Sequence, residues 1–99
     1  MRVRFSRQAR VDLAEIARTI AKDNPRRSET FTDELEASCL TLAGTPEAFQ
    51  VFARRGKQEI RRKPYGNYVI LYRIADPNID ILRIVHGARN YKKQFPSGT

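Results

Sequence analysis

The sequence predicts an α+β domain, a helical hairpin packed on a small antiparallel sheet in the order β-α-α-β-β-β. Three observations predict it. Apolar residues recur every three or four positions from Ala9 to Leu42, Asn24-Pro25 divides that stretch in two, and from residue 58 onward the period falls to two. Residues 1–99 form a single domain, because a chain of 99 residues has no room for a second core.

Residues 2–5 alternate basic and apolar, which places Val3 and Phe5 on one face of a short strand. Ser6 is a natural helix N-cap, its hydroxyl accepting from an otherwise orphan backbone N–H. Ala9, Leu13, Ile16, Ala17 and Ile20 form the apolar stripe of a helix over about 7–22, with Asp12, Glu15 and Arg18 expected on the opposite side. Pro25 disfavours a helical Asn24 yet suits a first helical position, so Asn24 caps a second helix over about 25–43. Its stripe is Phe31, Leu35 and Leu42 with Ser38 and Cys39 between, and Gly44 closes it. So short a connection makes the two helices an antiparallel hairpin.

Residues 44–57 show no clean period. Phe49, Val51 and Phe52 are expected to anchor this long connection, while Arg54, Arg55 and Lys57 stay in water. Strands are expected at 58–63, 67–75 and 79–86, with turns at Lys63-Pro64-Tyr65-Gly66 and Asp76-Pro77-Asn78. Tyr68, Ile70, Tyr72 and Ile74 share one face of the middle strand; Val69, Leu71 and Arg73 take the other. A strand apolar on both faces is a central one, covered at least partly on each side. Residues 90–99 are a short basic tail.

Composition narrows the function classes. At 40% apolar and 30% charged the chain lies outside the disordered range. No apolar run approaches the roughly 18 residues of a membrane span, so no membrane partner is expected. Met1 to Ser6 lack the apolar core of a signal peptide, and the single Cys39 fits a reducing compartment, so a cytoplasmic location is expected. One His and one Cys cannot make a usual zinc site, and neither metal, cofactor nor small-molecule substrate is expected. The charge is lopsided. Residues 1–50 hold 8 Lys/Arg and 8 Asp/Glu, whereas residues 51–99 hold 11 and 3, so the whole net charge of +8 arises in the second half. Such concentration points to an anionic partner.

Two groups of residues carry candidate chemistry. Arg54, Arg55, Lys57, Arg61, Arg62 and Lys63 read either as an electrostatic footprint for nucleic acid or an acidic protein, or as a solvated edge strand protected against pairing. His86, Arg89 and Tyr91 gather where the last strand ends, and there His can move a proton while Arg holds a phosphate. The only strand-region carboxylates, Glu59, Asp76 and Asp80, offer His86 poor support, and an unoriented base is a weak catalyst. Tyr65 is free for stacking on a base, whereas Tyr68 and Tyr72 share the core face. Cys39 reads as packing, and Asp33, Glu34 and Glu36 as the outer face of their helix.

Taken together, the residues resemble the ParE branch of the RelE/ParE toxin superfamily. The resemblance runs over about residues 3–91. It rests on Phe5-Ser6, Ala9, Asp12-Leu13, Asn24-Pro25, Phe31, Leu35, Leu42 and Pro46. Sharper still are Arg61 to Arg73, ending Tyr68-Val69-Ile70-Leu71-Tyr72-Arg73, and the stretch from Ile81 to Arg89 through His86-Gly87-Ala88. The resemblance implies a toxin of a type II toxin–antitoxin pair, blocked by a ParD-type antitoxin and acting on DNA gyrase. RelE-type relatives instead cut messenger RNA in the ribosome.

In RelE-like proteins an arginine follows the hairpin tyrosine and a tyrosine lies near the C-terminus. The matching positions here are Val69 and Phe95. Neither side chain can hold a phosphate or donate a proton. A non-catalytic toxin is therefore expected, with Arg61, His86, Arg89, Tyr91, Lys92 and Lys93 as the target-binding surface. The antitoxin is expected in a groove between hairpin and sheet, on Leu13, Ile16, Ile20, Phe31 and Leu35. The alternatives are a ribosome-dependent endoribonuclease using His86, Arg89 and Tyr91, and an inert binding module of toxin descent.

Overall fold

A computed structural model describes residues 1–88 of the chain. In chain order the elements are β1 (Arg2–Phe5), α1 (Arg7–Ala21), α2 (Pro25–Leu40), β2 (Val51–Arg55), β3 (Gln58–Tyr65), β4 (Tyr68–Ala75) and β5 (Asn78–His86), with one 3-10 turn at Thr41–Ala43. The strands form one sheet in the order β1-β5-β4-β3-β2. β1 runs parallel to β5, and every other pair is antiparallel. The fold is thus the expected α+β arrangement, with a fifth strand and one parallel edge added.

Local chemistry sets the helices. Ser6 Oγ accepts the Ala9 N–H at 3.0 Å and donates to the Leu82 carbonyl at 2.8 Å, so the cap of α1 also fastens the helix to β5. Asn24 Oδ1 accepts the Arg27 N–H at 3.0 Å, with Pro25 in the first turn of α2. Ser28 Oγ donates to the Ala17 carbonyl at 2.6 Å and ties the hairpin together.

The strand at 51–55 departs from the expected loop, and its irregularity explains the missing period. Register shifts between Val51 and Ala53, so Phe52 is an extra residue and alternation fails over that short strand. Gly56, with φ of 57°, turns the chain into β3. β3 also runs two residues beyond expectation, to Tyr65. Pro64 is tolerated there because β2 pairs only as far as Arg61, which leaves that side of β3 without a ladder to break. The reversal falls instead at Gly66-Asn67, where Gly66 takes φ of 57°.

Both sheet faces are apolar, as the strand patterns imply. On the near face Ile70, Tyr72, Ile79, Ile81 and Ile84 meet Ala9, Ile16, Leu35, Cys39 and Leu42 from the helical layer. On the far face Ala53, Ile60, Val69, Leu71 and Val85 cluster with Phe52 and Leu82, and among the described residues none from a helix joins them. One expectation for α1 fails. Asp12 is buried, only 5% exposed, rather than on the solvent side with Glu15 and Arg18. It stands three residues after Ala9 and four before Ile16, a spacing that lies on the buried stripe whatever the charge. No described helix is long and apolar enough to cross a membrane.

Candidate functional site

The end of β5 lies beside the first hairpin tyrosine. His86 is in register with Tyr68, and their rings meet edge to face with centroids 5.4 Å apart. Nδ1 of His86 accepts the Ala88 backbone N–H at 3.1 Å. That bond uses the Nδ1 lone pair. His86 can therefore donate a hydrogen bond to a partner, but its accepting nitrogen is already engaged. Gly87 fits closely beside it, since a Cβ there would sit 3.3 Å from the Asn67 carbonyl oxygen.

The seam between α1 and β5 is closed by an ion pair. Asp12 accepts Arg83 Nε at 2.8 Å and a terminal guanidinium nitrogen at 3.1 Å, in a two-pronged arrangement. The same carboxylate accepts the Ile84 backbone N–H at 2.9 Å, so it also caps a strand edge that β1 leaves bare beyond Ile81. Hydrogen bonding to Asp12 holds the Arg83 guanidinium above its ordinary pKa. A cleft of about 180 Å³ beside this pair has Glu15, Thr19, Tyr68 and His86 on its walls.

The basic cluster splits between the two faces. Arg61 lies in register with Tyr72 on the near face, where it donates to the Phe49 carbonyl at 2.7 Å and the Glu47 carbonyl at 3.3 Å. The Tyr72 hydroxyl donates to the Pro46 carbonyl at 2.7 Å, and burial pushes its pKa up while nearby Arg61 pulls the other way. Lys63 Nζ donates to the Ser38 carbonyl at 2.8 Å and Thr41 Oγ1 at 2.9 Å, which caps the end of α2; burial lowers its pKa. These three side chains fix the 44–50 connection and its neighbouring helix end. Arg61, expected on the target-binding surface, is spent largely on that structural task. Arg54 pairs with Glu59 at 2.7 Å at the sheet edge.

The space between hairpin and sheet, where the antitoxin groove was expected, is filled by the core itself. Leu35 is fully buried and Ile16 nearly so, and Leu13, Ile20 and Phe31 pack against the same cluster. Phe31 contacts the rings of Tyr65 and Tyr68, so Tyr65 is a packed aromatic and not a free stacking platform. Cys39 is fully buried and its thiol is pushed up to about 12, mainly by desolvation. Arg89, Tyr91, Lys92, Lys93 and Phe95 lie outside the described residues. Among the described residues no group of three His, Cys, Asp or Glu side chains could hold a metal.

Sequence reasoning passed over a row of groups on the far face. Arg4, Asp80 and Arg73 stand in register on β1, β5 and β4, and Asp80 bridges both guanidiniums, at 2.8 Å and 3.1 Å. The signal was present in the alternation of β1, which sets Arg2 and Arg4 opposite Val3 and Phe5. Only the sheet order shows which residues they face.

A family model described as the ParE toxin of the type II toxin–antitoxin system, parDE, matches residues 3–91. Among solved structures the chain is similar to one from the chromosomal ParDE toxin–antitoxin system of P. aeruginosa. Its TM-score is 0.73 at 16% identity over 87% of this chain and 95% of that one, which shows a shared fold. A chain of the toxin–antitoxin complex RelBE2 from Mycobacterium tuberculosis aligns with a TM-score of 0.55 and 28% identity, over 86% of this chain and 95% of that one. No curated protein matches the sequence.

Proposed function

We propose, because this chain belongs to the ParE toxin family of type II toxin–antitoxin systems, that it inhibits DNA gyrase by binding and is neutralised by a ParD-type antitoxin in the cytoplasm. The observation that carries the non-catalytic reading is the state of His86. Its accepting nitrogen is held by the Ala88 N–H, so it is not presented as a general base. Val69 supports the same reading. It is 3% exposed and packed into the far-face apolar cluster, where RelE-like proteins place an arginine. An RNA-cutting site would need a base, a phosphate-holding cation and an acid in mutual reach, and two of the candidates, Arg89 and Tyr91, lie outside the described residues.

The 28% identity to the RelBE2 chain favours a second reading, a ribosome-dependent messenger-RNA endoribonuclease. One experiment separates the two. The protein, expressed without its antitoxin, is assayed for inhibition of gyrase supercoiling and for cleavage of messages on translating ribosomes. Inhibited gyrase with intact messages is the expected result. Cut messages with active gyrase would overturn it, and inactivity in both assays would leave an inert binding module.

A further inference from the structure

Residues 1–50, which hold both helices, carry no net charge, whereas residues 51–99 carry the whole +8. Within the neutral half the charges are sorted by helix. The outward face of α1, opposite buried Ala9 and Ile16, presents Arg7 and Arg18, with Arg10 and Lys22 beside them, all exposed. The outward face of α2, opposite buried Leu35 and Cys39, presents Glu29 and Asp33 with Glu36 on its flank, also exposed. Glu15 of α1 stands aside from the cations, on the wall of the cleft that Arg83 lines, and Arg26 adds a cation in the first turn of α2.

Neither stripe is neutralised within the chain. Among the described residues Arg7, Arg10, Arg18, Lys22, Glu29, Asp33 and Glu36 enter no ion pair; Arg27 and Glu34 pair with each other, and Arg10 rests over the Phe5 ring at 5.3 Å. Two of the three exposed large apolar side chains, Val11 at 40% and Leu40 at 51%, lie on the same outward faces. The bond from Ser28 to the Ala17 carbonyl sets those two residues level. Counting along the antiparallel helices at about 1.5 Å per residue then places Arg18 within about 3 Å of the height of Glu29, and Arg10 within about 2 Å of that of Glu36.

We propose that the chain pairs with a second copy of itself through the outward faces of α1 and α2. A two-fold axis running along the hairpin lays α1 of each copy over α2 of the other, so cations meet carboxylates twice. An axis across the hairpin would instead set α1 on α1, like charge on like. Ala14 and Ala37 are small enough to let the helices approach, and Val11 and Leu40 supply apolar contact. Strands β2 to β5 lie behind the helices, so their charge stays outside the pair and is screened over roughly 8 Å at physiological salt. Two helices of 15 and 16 residues offer a footprint of roughly 400 Å² per copy, below the roughly 800 Å² of a standard interface, which fits a weak, micromolar pair. A pair joined there turns both sheets outward and doubles the positive surface offered to an anionic partner.

The test is sedimentation velocity of the purified complete chain from about 1 to 300 µM, at about 0.1 M salt. The expected result is a concentration-dependent shift from monomer toward dimer. Arg18→Glu and Glu29→Arg, each checked for an unchanged melting temperature, should each weaken pairing about tenfold or more, because each sets like charges together twice. An equal mixture of the two variants should pair to within about threefold of the unsubstituted chain, since the exchanged charges then face each other. A chain that stays monomeric over the whole range, pairing unchanged in either variant, or a mixture as weak as its components would overturn the proposal. So would a chain that never pairs but binds a DNA duplex of about 20 base pairs in a manner weakened by Arg18→Glu; the basic face of α1 would then belong to nucleic acid.

Discussion

Replacing Asp12 tests whether a buried carboxylate joins the helical layer to the edge of the sheet. In Asp12→Ala the Ile84 N–H, in a residue 2% exposed, loses its acceptor at 2.9 Å. A buried unsatisfied donor costs about 1–3 kcal/mol. Arg83 loses its two-pronged partner as well. Breaking a fully buried pair costs about 3–5 kcal/mol, but the Arg83 side chain is 26% exposed and water recovers part, leaving roughly 2 kcal/mol. The two losses together come to about 3–5 kcal/mol, a large share of the 5–15 kcal/mol that holds a typical domain. At a urea m-value of about 1.5 kcal/mol/M the unfolding midpoint should fall by about 2–3 M. Asp12→Asn keeps an oxygen for Ile84 and loses only the charge, so it should cost about half as much. A double-mutant cycle with Arg83→Met should give a coupling of about 2 kcal/mol. Equal, small effects of Ala and Asn, with coupling near zero, would refute the assignment.

Alkaline stability should depend on Cys39. Its folded pKa is raised to about 12 against an ordinary 9.0, so its contribution is complete below pH 9 and is lost as pH rises toward 12. That loss approaches about 1.4 kcal/mol per pH unit, and urea titrations should show a shallower alkaline limb in Cys39→Ala. Tyr72, also raised, acts in the same direction above pH 10, whereas lowered Lys63 opposes both below 10.5. Gly56→Ala and Gly66→Ala should each cost about 1 kcal/mol, or about 4–8 °C in melting temperature, through the left-handed backbone. An added Cβ at Gly66 would meet Phe31 at an ordinary 3.5 Å and at Gly56 nothing, so a much larger loss at Gly66 would show that crowding dominates. His86→Gln should reduce gyrase inhibition by less than about tenfold in the supercoiling assay; a loss of 10²–10⁴ in message cleavage on ribosomes would instead mark a proton-transfer role.

The helix ends were legible because their signals are local. Ser6 and Asn24-Pro25 act on N–H groups within three residues, and the caps form as their side chains require. Strand β2 was hidden because the bulge at Phe52 cancels the two-residue period over only five positions. The parallel pairing of β1 with β5 joins residues more than 70 positions apart, and no local pattern encodes it. The site residues divide in the same way. Residue types identified Arg61 and Lys63 as cations but suggested solvent, whereas strand register turns both toward the helical layer and its carbonyl oxygens. Asp12 was readable by spacing alone; its charge outweighed the spacing because its partner Arg83 lies 71 residues away.

Carbonyl oxygens orient Lys63 without neutralising it, whereas Arg61 also reaches the Glu59 carboxylate at 3.6 Å. The net +8 survives folding and acts over about a Debye length, roughly 8–10 Å at physiological salt. Long-range attraction of that kind governs encounter rate, while desolvated contacts in a groove govern how long a partner stays. The two effects have different addresses in this protein. Neutralising Lys57, exposed at the β2–β3 turn, should lower the association rate and its salt slope with little change in dissociation. A partner that desolvates the sheet face opposite the helices should also dissociate faster from Arg55→Glu. If both substitutions changed only the association rate, the far-face arginines would be acting as diffuse charge alone.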